Sequence, residues 1–498
     1  MTRNQLRPNI VVNLIRTFTI TLLSFISFPF ASSVLGDVAM GIYSWANTFV
    51  YFFLIIAKLG IPMVAIRECA KVRDDKEKLA NRVQTYFFLQ LITTVISYAL
   101  MLALVFGFGT KVVDLTSRPL VMLLSLNFLV GVFSFEWVFI ALEKHFYIAL
   151  RSVFVAALGS LLIIMFVRND NSLFTYALIA CLATFITSLA NGFLLKKEGI
   201  SLKPKGPLSL KGVFKPLIVV FLITLVVTAY NQADSLLLGY IDPTKSLVGS
   251  YAVGVRGIEI VITIVTSLSA VFVPRATIAI KQNNIKEFNL INNYSTNITF
   301  FITLPAVACM IILAPQIVSF IVNNNNTGFW TPLAIDNAVW AIYMLAGLMF
   351  TYSISDNIYQ QVLLPLGKEK LYFFTMIIGL VLNIGLSILN VYTIFRAQPM
   401  LGVSIATLFS DLVVLVTLIV ITRSYVLKNI LSFNNLKILI ATLLIAVFTY
   451  FVTPFVNIAN PLFLIGTMIL ISGVIYVVTL LILKEDIILE FLHKTKKS

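Results

Sequence analysis

Stretches of eighteen or more apolar residues recur along the whole chain, and no water-soluble fold has enough interior to hide them all. Each is long enough to cross a bilayer as an α-helix. The apolar residues run continuously rather than alternately, which excludes a membrane β-barrel. The fold class is therefore an all-α polytopic membrane protein. Fourteen transmembrane helices are expected, at roughly 10–35, 43–66, 84–108, 118–142, 149–167, 174–195, 216–239, 248–273, 293–322, 333–356, 371–394, 401–422, 437–456 and 462–483. The first stretch is far longer than the apolar core of a signal peptide and reads as a retained helix. Ala31, Ser32 and Ser33 leave cleavage as the alternative.

One segment divides the series. Lys196 to Lys215, KKEGISLKPKGPLSLKGVFK, is too polar to enter a bilayer, with six helices before it and eight after. The domain organisation follows: a six-helix N-terminal lobe (1–195), a cytoplasmic basic linker (196–215), a six-helix C-terminal lobe (216–422), and helices 13 and 14 with a cytoplasmic tail (423–498). Weak internal echoes fit two parallel halves. Gly41-Ile42-Tyr43 opens helix 2 and Gly249-Ser250-Tyr251 opens helix 8, 208 residues later.

The formal net charge is +15. In a soluble protein that would raise the question of nucleic acid. Here the basic residues fall in loops on one side. With the N-terminus inside, 28 of the 36 Lys and Arg are cytoplasmic, five are outside, and three (Arg16, Lys58 and Arg256) lie within helices. This bias places both termini in the cytoplasm, makes membrane lipids the surroundings and leaves nucleic acid out. The stretch from Arg67 to Val83 reads as an amphipathic helix at the inner surface.

Charged side chains inside a membrane are costly and are candidates for function. Arg256 lies well inside helix 8, with Glu259 one turn on and Asp234 at similar depth on helix 7. It either binds an anionic headgroup or ties the two helices through an ion pair. Arg16, two turns into helix 1, either snorkels to the inner headgroups or meets the same anion. Lys58 on helix 2 has Glu136 on helix 4 as a candidate partner. Asp411, mid-helix 12, is a candidate for ion coupling or for neutral helix packing. Asp356 sits at a helix end and reads as solvated.

Cys69, Cys181 and Cys309 are scattered, and the two histidines, His145 and His493, lie at cytoplasmic edges. These give no disulfide framework and no metal-ligand spacing, and no Gly-rich loop precedes a Lys-Ser or Lys-Thr pair. No cofactor and no enzymatic constellation is expected.

Five stretches in order carry a resemblance: GIYSWANTFVYFFLIIAKLGIPMVAIRE, FEWVFIALEKHFYIALRS, YNQADSLLLGYIDPTKSLVGSYAVGVRGIE, VFVPRAT and QQVLLPLGKEKLY. Over helices 1 to 14 the chain resembles the Wzx-type polysaccharide flippases, in the polysaccharide-transport branch of the multidrug/oligosaccharidyl-lipid/polysaccharide exporter superfamily. The resemblance implies a MATE-like pair of lobes around a cationic cavity, in a bacterial cytoplasmic membrane. The cargo it implies is an undecaprenyl-diphosphate-linked oligosaccharide, flipped by alternating access for capsule, exopolysaccharide or O-antigen synthesis. By the same resemblance Arg256, with Arg16 and Lys58, would meet the diphosphate. A polysaccharide polymerase and glycosyltransferases are the protein partners it allows. The competing reading is a cation-coupled multidrug exporter of the same fold, which would favour acidic and aromatic cavity residues over arginines.

Overall fold

The computed structural model describes residues 3–107, 112–202, 212–322 and 329–489. The middle of the basic linker, the NNNNTG stretch expected in an outer loop, and His493 lie outside the described residues. Among those described, the chain is helical, with thirteen stretches long and apolar enough to cross a membrane. The first, Val12–Ala70, has 59 residues. Straight, it would reach about 88 Å at 1.5 Å per residue, nearly three hydrocarbon thicknesses. It holds two crossings, which makes fourteen.

The division falls inside α1 (Arg3–Lys58), at Gly36, whose φ of 80° and ψ of 176° belong to a region that glycine alone takes without strain. The chain turns again at Leu59 and Gly60, both with positive φ, before α2 (Ile61–Ala70). A Cβ on Gly60 would sit 2.9 Å from the backbone of Leu217 and Phe221, so no other residue fits there. Pro62 lies in the first turn of α2, where its missing N–H costs nothing. The expected surface helix over 67–83 does not form as one piece. Turns at residues 71–74 separate α2 from α3 (Lys76–Gly107), because Asp75 takes the backbone N–H groups of Glu77 and Lys78 and starts a new helix.

The chain divides into two compact units, Met1–Gly249 and Ser250–Ser498. In the first, α3 is followed by three short helices, α4 (Arg118–Leu124), α5 (Leu126–Val132) and α6 (Glu136–Ala141), then by α7 (His145–Phe166), α8 (Leu173–Lys197) and α9 (Phe214–Ile241). Its core near one end gathers Ile61, Val83, Tyr86, Phe135, Trp137, Phe139 and Leu217, all nearly inaccessible. Near the other end the backbones touch. Gly41 lies against the Lys245 carbonyl, and Gly249 against that of Asp37. The two glycines of the sequence echo therefore pack on one another, which only residues without a Cβ permit. Lys245 is buried there. It reaches Asp114 at 3.0 Å, donates to the Gly239 carbonyl and lies 4.9 Å from the centre of the Trp45 ring.

Most of α10 (Ser246–Lys281) belongs to the second unit. It is followed by α11 (Ile285–Ile312), α12 (Ala314–Val322), α13 (Pro332–Ile358), α14 (Glu369–Tyr392), α15 (Pro399–Ile421), α16 (Arg423–Ile430), α17 (Phe433–Val452) and α18 (Pro461–Ile482). The last two are the expected extra pair. Thr449 on α17 and Ser472 on α18 share a 2.8 Å hydrogen bond, and Tyr476 donates to the Phe301 carbonyl of α11 at 2.9 Å. α13 continues without a break into a π-helical turn, Tyr359–Leu363. The apolar crossing therefore runs from Pro332 to Leu363, and Asp356 is seven residues inside it rather than solvated at its end.

Candidate functional site

The fourth crossing was expected as one helix, 118–142. It is three pieces. Phe135, with φ 42° and ψ 12°, takes a left-handed turn that a bulky aromatic residue adopts only when its surroundings enforce it. At the break Val130 O and Gly131 O accept three-residue bonds from Phe133 and Ser134 N–H in place of regular helical ones, and further donors satisfy the carbonyls inside the membrane. Side chains from the neighbouring helices supply them. Gln90 Nε2 donates to Gly131 O at 3.2 Å, Ser188 Oγ to Val130 O at 3.0 Å, and Asn191 Nδ2 to Ser134 O. Phe135 itself is buried, with its ring 5.5 Å from that of Phe87.

The break puts Glu136 in the first turn of α6, where the helix dipole favours a carboxylate. Two guanidinium groups meet it. Arg151 Nη2 donates to Oε2 at 2.8 Å, and Arg16 Nη1 to Oε1 at 3.5 Å. The Arg151 side chain is only 6% exposed. It is held on its other side by Asn191 Oδ1, which Tyr147 also reaches at 3.3 Å, and its guanidinium lies 5.8 Å from the Tyr147 ring centre. Arg16 is half-buried, and its Nε has no hydrogen-bond partner among the described residues. Lys58 is exposed and within electrostatic range of Glu136, without forming a close ion pair to it among the described residues. Two arginines and one carboxylate leave the cluster with a net positive charge, and Lys58 adds to it.

Arg151 is the residue that sequence reasoning missed. It sits six residues after His145, close enough to the start of its helix to be grouped with the preceding loop. The available signal was its i−15 spacing to Glu136 across the FEWVFIALEKHFYIALRS stretch, which becomes meaningful only once the two helices are known to pack.

Arg256 lies in the second unit, ten residues into α10 and about 15 Å along its axis. Its Nη1 donates to Glu259 Oε2 at 2.7 Å, and both side chains are 50% exposed. An accessible ion pair at this depth faces water or a polar path, because hydrocarbon would penalise both charges. Asp234 is buried on α9, in the first unit. Asp411 is fully buried on α15 and accepts the Thr351 hydroxyl of α13, so it contributes to the packing of those two helices.

The comparisons with known proteins agree with this architecture. The family model described as polysaccharide biosynthesis protein matches residues 6–280, and the MatE model matches residues 216–389. No curated protein matches the sequence. Among solved structures, the lipid II flippase MurJ in an inward closed conformation superposes with a TM-score of 0.74. It is 19% identical and covers 95% of this chain and 99% of its own. An inward-facing multidrug resistance MATE transporter of the MOP superfamily gives 0.63 at 15% identity, covering 84% and 98%. A MOP superfamily transporter from Pyrococcus furiosus, described as having a binding pocket of reversed polarity, gives 0.53 at 16%, covering 85% and 96%. At these identities the likeness is one of fold. The first family match takes in more than half of the sequence: the chain belongs to the polysaccharide biosynthesis protein family and has the fold of the MOP superfamily transporters.

Proposed function

We propose that the protein is a flippase that moves an undecaprenyl-diphosphate-linked oligosaccharide from the inner to the outer leaflet of a bacterial cytoplasmic membrane, with both termini inside, for capsule, exopolysaccharide or O-antigen synthesis. The observation that carries this reading is Arg16. It shares Glu136 with the buried Arg151, so its own charge is only partly neutralised, and its Nε has no acceptor among the described residues. A diphosphate supplies what such a group lacks, because its oxygens accept paired hydrogen bonds from a guanidinium. Arg256 and Lys58 are further phosphate contacts in this reading, and Asp411 and Asp234 remain candidates for ion coupling. The moving halves would be the segments 1–195 and 216–422, joined by the basic strap 196–215 and followed by 423–498. The polar headgroup crosses in water while the isoprenoid tail stays in lipid, since about 30 Å of hydrocarbon bars an unaided glycan.

One lipid probe and one organic cation test this. Native mass spectrometry of the full chain should show undecaprenyl diphosphate bound, with Arg16→Ala weakening it about tenfold and leaving the melting temperature within a few degrees. Unchanged affinity in Arg16→Ala would remove that residue from the site. The match of the MatE model to residues 216–389 favours the alternative, a cation-coupled multidrug exporter. Binding of ethidium in preference to the diphosphate would decide for it.

A further inference from the structure

A second cluster on the membrane-crossing helices has no place in the phosphate site. Tyr352, Asp356 and Tyr359 recur at i, i+4 and i+7, on one face of α13 as it passes into the π-helical turn. All three are half-buried, as is Gln360. Asp356 is a half-buried carboxylate inside a crossing segment, where such a group is a candidate for function. Its hydrogen bond comes from a neutral amide: Gln360 Nε2 donates to Asp356 Oδ2 at 2.6 Å. This is not the arrangement of a structural ion pair. Tyr359 is stacked on Tyr372 of α14, with ring centres 4.1 Å apart and planes 24° from parallel. Tyr372 is buried, so it backs and fixes the accessible ring.

We propose that Tyr352, Asp356, Tyr359 and Gln360, backed by Tyr372, form a saccharide-binding face on the second unit for a pyranose with adjacent free hydroxyls. The proposal rests on the flippase reading and names where that cargo's glycan is recognised. A sugar ring has an apolar face of C–H groups and a rim of hydroxyls. Tyrosine rings give the first a flat apolar surface at low entropic cost. A carboxylate accepts hydrogen bonds from two neighbouring hydroxyls at once, and these charge-assisted bonds exceed neutral ones in strength. The amide of Gln360 fixes the carboxylate and offers its own carbonyl to a third hydroxyl. The π-helical turn, a geometry that recurs at functional sites, places Tyr359 and Gln360 at its start.

The test compares two probes on the full chain in lipid nanodiscs: undecaprenyl diphosphate, and the same carrier bearing one N-acetylglucosamine. The wild type should bind the sugar-bearing probe about tenfold more tightly. Tyr359→Leu and Asp356→Ala should bring that ratio below about twofold and leave the affinity for the bare carrier unchanged. Tyr359→Phe, which retains the ring, should keep the ratio. A ratio near one in the wild type, or a ratio undiminished in both disruptive variants, overturns the saccharide face and leaves the phosphate site standing. If the wild type binds neither lipid, the flippase reading falls and this proposal with it. Should a disruptive variant lose both probes through misfolding, the phenylalanine variant decides: a retained ratio supports the proposal and a lost one overturns it.

Discussion

Arg151 with Glu136, and Arg256 with Glu259, are the same chemistry in two settings. The first pair joins two helices, buries its arginine and is braced by Asn191 and Tyr147. The second joins adjacent turns of one helix and leaves both side chains half exposed. In the first, the charge is expensive to leave alone, so the pair constrains structure. In the second, both charges are accessible and the pair lies within one helix, so it constrains the packing little. Position within the membrane therefore nominates a charged residue, and burial decides what kind of work it does. Arg16 stands between the two settings: it borrows the braced carboxylate but remains open on one side.

The sharpest way to break this contrast is Glu136→Ala. It leaves Arg151 buried without its counterion and should cost about 3–5 kcal/mol, read as a large fall in the detergent melting temperature. A fall of only a degree or two would mean that Asn191 and Tyr147 suffice, and the pair would lose its structural standing. An intermediate case is Asp114, at the Lys245 contact. Burial alone would raise its carboxyl, but hydrogen bonds from Thr116, the Ser117 backbone and Lys245 outweigh that and hold it down at about 2. Its contribution to stability should be complete above about pH 4 and disappear as the pH falls towards 2, since protonation then breaks those bonds. Wild type should exceed Asp114→Asn by its full margin above about pH 4, and the margin should close as the pH falls towards 2. A margin that stays constant down to pH 2, or no margin at pH 7, would refute the assignment. The smallest stability effect belongs to Arg256→Ala, expected within about 1 kcal/mol, as for an exposed pair. Surface polysaccharide should nonetheless be lost in that variant while the protein remains in the membrane. Normal polysaccharide would take Arg256 out of transport, and a large melting shift would show that it is structural after all.

The residues that were legible in advance are those whose meaning is local. Arg16, Lys58 and Arg256 stood out because each interrupts an apolar run. Gly41 and Gly249 stood out as an echo, although their mutual contact did not. Asp356 was misplaced because the end of an apolar run was taken for the end of the helix, and a π-helical continuation through Tyr359–Leu363 leaves no mark in hydropathy. Arg151 was overlooked because its depth from the nearest loop is small, while its burial depends on Asn191, forty residues away.

Hydropathy alone determined the class of the protein and its fourteen crossings. These follow from the energy of moving each side chain between water and hydrocarbon, a property summed along the chain. The tertiary structure decided where the fourth crossing breaks, which helices supply further donors to the carbonyls at the break, and that Glu136 answers to Arg151 and Arg16. Those outcomes turn on which polar group lies within 3 Å of which other across helix interfaces. A buried carbonyl or carboxylate must be satisfied by whatever the packing brings to it, and the order of residues in a single segment does not contain that information.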